Sequence, residues 1–156
     1  MTSQTRVIEN EKAMADFAAR VAPHLKTGDV VTLTGGLGAG KTVFARALIQ
    51  TLSPDIGEIP SPTFTLVQVY ELPQISLWHF DLYRLKEKKL DILELGWEEA
   101  RFSGAALVEW PDRLAGLLPK DRLEIKIDFV KDSENMRTVL LDPFGAWHDR
   151  LKGIKP

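Results

Sequence analysis

The chain has 156 residues, of which 44% are hydrophobic and 27% charged, and its formal net charge is −2. This length suits one domain spanning residues 1–156, and the near-neutral charge excludes a general electrostatic attraction to nucleic acid or to an anionic membrane. The sequence contains no cysteine, which excludes disulfides, thiolate zinc sites and cysteine nucleophiles.

The first third of the chain alternates between strand and helix patterns. A short strand at residues 6–8 precedes a helix that Asn10 caps and that is expected to end at residues 27–29. The run VVTLT at residues 30–34 is short, apolar and β-branched, as in a strand that is covered on both faces. A helix is predicted from Lys41 onward, and the proline-containing residues 53–62 are predicted to form a loop.

The rest of the chain contains more strands. Strands are predicted at residues 64–70, 75–82, 105–108, 122–130 and 136–141. Turns are predicted at residues 72–74 and 131–135, and helices at residues 89–95, 97–102 and 144–151. Because the late strands alternate between apolar and polar residues, they are expected to be antiparallel. The order of elements predicts an α/β fold with a layered, mixed sheet.

Residues 35–42, GGLGAGKT, match the pattern G-x-x-x-x-G-K-[ST] between a predicted buried strand and a helix. Gly35 and Gly40 allow the backbone to direct its N–H groups toward an anion, and the helix adds the positive end of its dipole. Lys41 supplies donors for the β- and γ-phosphates of a nucleotide, and Thr42 supplies a hydroxyl for Mg²⁺. We refer to residues 35–42 as the P-loop, and we predict phosphate binding there.

Two acids follow apolar strands and are candidates to hold Mg²⁺ or its water shell. Asp81 follows ISLWHF, and Glu109 follows AALV; spacing alone does not choose between them. His79 shares a strand face with Asp81, so it either orients that acid or is a structural histidine. Ser61, Thr63 and Thr65 lie where nucleotide switches place hydroxyls that sense the γ-phosphate. The sequence has no Asn-Lys-x-Asp motif for guanine, which favours ATP over GTP.

Taken together, four motifs resemble the bacterial TsaE family, also called YjeE. They are GGLGAGKT, SPTFTL at residues 61–66, HFDLYRL at residues 79–85 and VEWP at residues 108–111, followed by IDF at residues 127–129. The resemblance covers nearly the whole chain. Gly36 departs from it, because an acid is common there in the family, and Val43 replaces a common hydroxyl residue.

The resemblance implies a P-loop NTPase fold, a three-layer α/β sandwich with a parallel core and antiparallel late strands. It implies an ATPase that is needed to form N6-threonylcarbamoyladenosine in tRNAs reading ANN codons, acting with a TsaB–TsaD complex that itself holds the tRNA. Independently of the resemblance, the sequence shows no signal-peptide pattern and no membrane span, so a cytoplasmic location is expected. The implied catalytic residues are Lys41, Asp81, Glu109 and Thr65. The implied ATP-binding residues are Leu37, Gly38, Ala39, Gly40, Lys41 and Thr42, with Mg²⁺ held by Thr42 and Glu109.

Two other functions remain open on the sequence. A small-molecule kinase shares the P-loop and the size, but the arginines that would close over the phosphates, Arg84 and Arg101, lie outside any evident lid. A nucleotide-dependent adaptor would bind ATP without useful turnover. The intact Lys41, Thr42 and strand-end acids argue against this adaptor.

Overall fold

The computed structural model describes residues 3–59, 66–85, 89–114 and 116–154, with the side chains of residues 89–91 excepted. Its strands are β1 (Gln4–Ile8), β2 (Val30–Thr34), β3 (Val67–Glu71), β4 (Ser76–Asp81), β5 (Gly104–Glu109), β6 (Arg122–Phe129) and β7 (Arg137–Phe144). Its α-helices are α1 (Glu11–Val21), α2 (Lys41–Leu52), α3 (Lys89–Glu94), α4 (Trp97–Ser103) and α5 (Trp147–Lys152). Among these residues, no helix has the length and apolar character needed to cross a membrane.

The seven strands form one mixed sheet in the order β1-β7-β6-β2-β5-β4-β3. Strands β6, β2, β5 and β4 are mutually parallel, whereas β1–β7, β7–β6 and β3–β4 are antiparallel pairs. The carboxyl ends of the parallel strands therefore meet at one edge, where open α/β sheets bind their ligands.

Helices cover both faces of this sheet. Helices α1, α2 and α5 contribute Phe17, Phe44 and Trp147 to the larger core, and α4 contributes Trp97 to the core on the opposite face. Along β2, Val31 and Leu33 join the first core and Val30 joins the second. The predicted three-layer fold with a strand buried on both faces is confirmed.

Two predicted element boundaries were wrong, and each error has a local cause. Helix α1 ends at Val21 and continues only as a 3₁₀ turn over Ala22–His24, because Pro23 has no N–H to donate to the helix. The strand predicted at residues 64–70 begins at Val67, since Leu66 has a φ of 69° and is not extended; residues 64 and 65 lie outside the described part. The Asn10 cap is confirmed, with Asn10 Oδ1 accepting from the Ala13 N–H at 2.8 Å.

The predicted separation between a parallel core and antiparallel late strands is correct only in part. Strand β6 is antiparallel to β7 on one side but parallel to β2 on the other. Strands β1 and β3, from the early part of the chain, form the antiparallel edges. The alternation of apolar and polar residues in β6 indicates which side chains are exposed. It does not determine whether each neighbouring strand is parallel or antiparallel to β6.

Helix α5 is tied to the segment before β2 by a buried ion pair. Arg150 donates to the carboxylate of Asp29, which also accepts from the Lys26 N–H at 2.7 Å. Burial raises the pKa of Asp29, and the hydrogen bond from Lys26 and the charge of Arg150 oppose that shift. The pair fixes the last helix against the sheet near the start of the strand that leads into the P-loop.

Candidate active site

The P-loop connects β2 to α2 and takes its shape from glycines. Gly38 and Gly40 have φ values of 79° and 121°, which L side chains rarely adopt. At Gly35 a Cβ atom would lie 2.6 Å from the Ile127 carbonyl oxygen, so only glycine fits beside β6. The loop is closed by a hydrogen bond from the Ala39 N–H to the Gly36 carbonyl at 3.1 Å.

Lys41 begins α2, and its side chain lies at the base of the loop. Its Nζ donates to the carbonyls of Gly35 and Gly36, and it lies 4.3 Å from the centre of the Trp110 ring. Burial lowers the pKa of Lys41, and the nearby charges of Glu109 and Asp81 oppose that shift. The ammonium group is thus held where an anion would relieve the cost of burying its charge.

Asp81 and Glu109 lie side by side at the ends of β4 and β5, where they are paired in the strand register. Both side chains are buried. Asp81 Oδ1 accepts from the Tyr83 N–H at 3.2 Å. Two acids predicted from separate strands are therefore neighbours at the edge of the sheet, beside Lys41.

The partner of His79 differs from the one considered in the sequence. His79 Nε2 lies 2.8 Å from Glu109 Oε2, so the histidine orients Glu109 and not Asp81. The two-residue period does place His79 and Asp81 on one face of β4, but that face turns His79 toward the acid of the adjoining strand. A carboxylate only accepts hydrogen bonds, so Nε2 carries the hydrogen.

These side chains surround a cavity of about 420 Å³. Its lining includes the predicted loop and acid residues, namely Leu37, Gly38, Ala39, Gly40, Lys41, Thr42, Asp81 and Glu109. It also includes Asn10, Glu11 and Met14, from the start of α1 and its cap. The switch candidates Ser61, Thr63 and Thr65 lie outside the described residues.

Four further lining residues were missed or set aside in the sequence. Trp110 and Tyr83 pack ring against ring with centroids 4.8 Å apart, and Arg84 and Arg137 also line the cavity. Trp110 directly follows a candidate acid, which was the available signal. Arg84, previously placed outside any lid, does reach the cavity wall, whereas Arg101 is exposed on α4 and is not part of that wall.

The donor set is suited to a magnesium–nucleotide complex. Among the described residues, no group of three or more His, Asp or Glu side chains could hold a metal by itself. Mg²⁺ is commonly held by one or two protein oxygens together with substrate phosphates and water. The Thr42 hydroxyl and the Glu109 carboxylate, both on the cavity wall, fit that pattern.

Comparison with known proteins identifies the family. Residues 8–139 match the family described as "Threonylcarbamoyl adenosine biosynthesis protein TsaE". The chain belongs to the TsaE family. It is 35% identical to the Rickettsia typhi tRNA threonylcarbamoyladenosine biosynthesis protein TsaE, covering 88% of this chain and 94% of the relative, and 39% identical to that of Bacillus subtilis, covering 81% and 76%. The crystal structure of Bacillus subtilis YdiB superposes with a TM-score of 0.73 at 28% identity, covering 96% of this chain and 91% of the other.

Within the TsaE family the departure at Gly36 is one that the site can accommodate. A Cβ at this position would meet only the Phe129 ring, at 3.5 Å, which is an ordinary contact. A Cβ atom therefore fits at Gly36, and the backbone geometry does not demand glycine there. At Gly35, the Ile127 carbonyl of β6 and the Ala39 side chain leave no such room.

Proposed function

We propose that this chain binds Mg·ATP in the cavity beneath the P-loop and hydrolyses it to support formation of N6-threonylcarbamoyladenosine in tRNAs that read ANN codons. The convergence of Lys41, Thr42, Asp81 and Glu109 on one cavity carries this proposal. Membership of the TsaE family, whose description names threonylcarbamoyl adenosine biosynthesis, supplies the biological process.

In this mechanism the loop and helix bind and orient the triphosphate. The free N–H groups at the start of α2 and the Lys41 ammonium face the negative charge that develops on the γ-phosphoryl oxygens. A bound Mg²⁺ would supply positive charge that offsets part of the phosphate charge. Thr42 and Glu109 would hold that ion, and His79 fixes the direction in which Glu109 points. Asp81 is positioned to orient the attacking water.

We further propose that a TsaB–TsaD-type complex is the partner and that turnover is slow without it. The net charge of −2 supports an indirect role toward tRNA, since a protein that grips a polyanion normally carries a basic surface. Arg137, on the cavity wall, binds loop carbonyls and is not a mobile arginine poised over phosphates. A cytoplasmic location follows from the proposed work on tRNA.

The test is phosphate release from Mg·ATP by the purified protein, alone and with cognate TsaB and TsaD. Slow release that rises clearly with the partners supports the proposal. Lys41→Ala should lower the rate by about 10²-fold or more, the scale expected for removing a preorganised charge-stabilising group. Lys120→Ala, an exposed change away from the cavity, is the control.

Each alternative function has its own signature in this assay. ATP consumption that requires a small acceptor molecule would indicate a kinase. Nucleotide binding with no phosphate release, even with both partners present, would indicate an adaptor. Normal hydrolysis by the Lys41→Ala protein would overturn the assignment of this cavity as the catalytic site.

A further inference from the structure

We propose that Arg137 is a positioning residue for the P-loop, holding the Gly38 and Ala39 carbonyls so that the direction of the Gly40 N–H is fixed for binding a phosphate. The inference rests on the proposed nucleotide function of the cavity. Arg137 opens β7, far along the chain from the loop, yet its Nε donates to the Ala39 carbonyl at 3.0 Å and its Nη2 lies 3.4 Å from the Gly38 carbonyl. The P-loop sequence pattern at residues 35–42 does not include Arg137 or predict its contact with the loop.

The effect follows from the geometry of the peptide unit. In a planar trans peptide the C=O and N–H groups point in opposite directions. When Arg137 holds the Ala39 carbonyl, the N–H of Gly40 in the same peptide unit is turned away from the guanidinium group. The neighbouring Ala39 N–H is already used by the Gly36 carbonyl, so the direction of the Gly40 N–H is the feature that Arg137 controls.

The guanidinium is itself firmly held by the β6–β7 hairpin. Its Nη1 donates to the carbonyls of Glu134 and Met136 at 2.9 and 2.8 Å. The group also lies over the Phe129 ring, 4.6 Å from its centre. These contacts fix the arginine before any ligand arrives, so the cost of ordering the side chain is met within the folded protein.

An arginine is needed for this set of contacts. The planar guanidinium has five N–H donors at fixed angles, and here they reach four carbonyl oxygens on two segments of the chain. A lysine would keep the positive charge beside the phosphates but could not bridge both segments. Because its donors are committed to backbone carbonyls, Arg137 acts through the loop and is not itself a catalytic residue.

The experiment compares Arg137→Ala and Arg137→Lys with Arg122→Ala. Arg122 is a matched control because it lies at the other end of the same hairpin and likewise stacks on an aromatic ring, Phe144, at 3.7 Å. The measurements are the dissociation constant of Mg·ADP by calorimetry, the urea midpoint, and ¹⁵N order parameters for residues 36–40.

We expect Arg137→Ala to weaken Mg·ADP binding by about tenfold or more, the equivalent of one charge-assisted hydrogen bond. Its loop order parameters should fall, the lysine variant should recover only part of the affinity, and Arg122→Ala should bind as the wild type does. Wild-type affinity and wild-type loop order in folded Arg137→Ala would overturn the inference, as would complete rescue by lysine.

The two proposals fail in distinguishable ways. If the wild-type protein binds no adenine nucleotide, the proposed function fails, while the order parameters of the ligand-free loop still test the role of Arg137. If the wild type binds Mg·ADP and the Arg137 variants match it in affinity and loop order, the function stands and this inference is wrong.

Discussion

Replacing His79 with leucine should destabilise the fold, because within the described part of the chain His79 is the one side chain that hydrogen-bonds to Glu109. Both side chains are at least 96% buried, and the ring nitrogen lies 2.8 Å from the carboxylate. Losing the donor leaves a buried acceptor unsatisfied, which costs about 1–3 kcal/mol. Lys41 is close enough to offset part of the charge, so we do not expect the larger penalty of an isolated buried ion.

The decisive comparison is a double-mutant cycle with Glu109→Leu. That single change leaves His79 Nε2 without an acceptor, and Nδ1 already has no hydrogen-bond partner in the part of the chain that the structure describes. When both polar groups are replaced by apolar side chains, neither is left unsatisfied. The double variant should therefore be more stable than either single variant, with a coupling free energy of at least about 1 kcal/mol.

Urea unfolding at 25 °C and pH 7.5 provides the free energies, provided that the m-values of the four proteins agree. For a protein of this size, a loss of about 2 kcal/mol lowers the melting temperature by about 4–8 °C, which a thermal scan can check. If the two single changes add to within about 0.5 kcal/mol in the double variant, the two side chains are not coupled and the reasoning is refuted.

Three further predictions concern the loop, the last helix and a buried hydroxyl. Gly40→Ala should lower the free energy of unfolding in urea by about 1–3 kcal/mol, because alanine is strained at the positive φ of this position. Gly36→Ala, where φ is ordinary, should lower it by less than about 1 kcal/mol. Equal losses in the two variants would contradict this prediction. Arg150→Ala should lower the free energy of unfolding by about 3–5 kcal/mol, because the buried carboxylate of Asp29 loses its ion-pair partner. Lys152→Ala, which removes an exposed ion pair, should lower it by less than about 0.5 kcal/mol. Tyr70→Phe should be no less stable than the wild type at pH 7, since the buried hydroxyl has no hydrogen-bond partner among the residues that the structure describes. Burial raises the pKa of Tyr70 above 10.0, so its contribution to the free energy of unfolding is complete below pH 10 and is lost as the pH rises through the folded-state pKa. In urea titrations at alkaline pH, the wild type should therefore lose stability relative to the phenylalanine variant. Parallel curves of stability against pH for the two proteins would refute this.

The sequence predicted those parts of the molecule that are local. The P-loop is contiguous, and its glycines, Lys41 and Thr42 lie within eight positions, so their pattern alone indicates their geometry. Strand β2 was predicted with its observed bounds, because a short apolar run between a turn and a glycine-rich segment leaves little choice. The strand-end acids Asp81 and Glu109 were also found, because each follows an apolar run.

The parts that were missed depend on strand register. His79 meets Glu109 across a separation of 30 residues, and Arg137 meets Ala39 across 98. Both contacts require knowing which strands are neighbours and how they are aligned, which periodicity does not determine. The parallel pairing of β6 with β2 is the clearest case, since it brings the β6–β7 hairpin, and with it Arg137, beside the P-loop.

The charges at this site are difficult to explain as stabilising features of the fold. Lys41, Asp81 and Glu109 are all buried, and burying charged groups costs free energy that their mutual attraction repays only in part. For Lys41 the effect of burial on its pKa exceeds that of the two acids. An apolar trio of similar volume would close this edge of the sheet at lower cost. The arrangement becomes favourable once an anion and a cation enter together, because the anion compensates Lys41 and the cation compensates the acids. The magnesium–nucleotide complex that we propose as ligand is such a pair, and on that proposal the ligand would complete the electrostatic balance of the site.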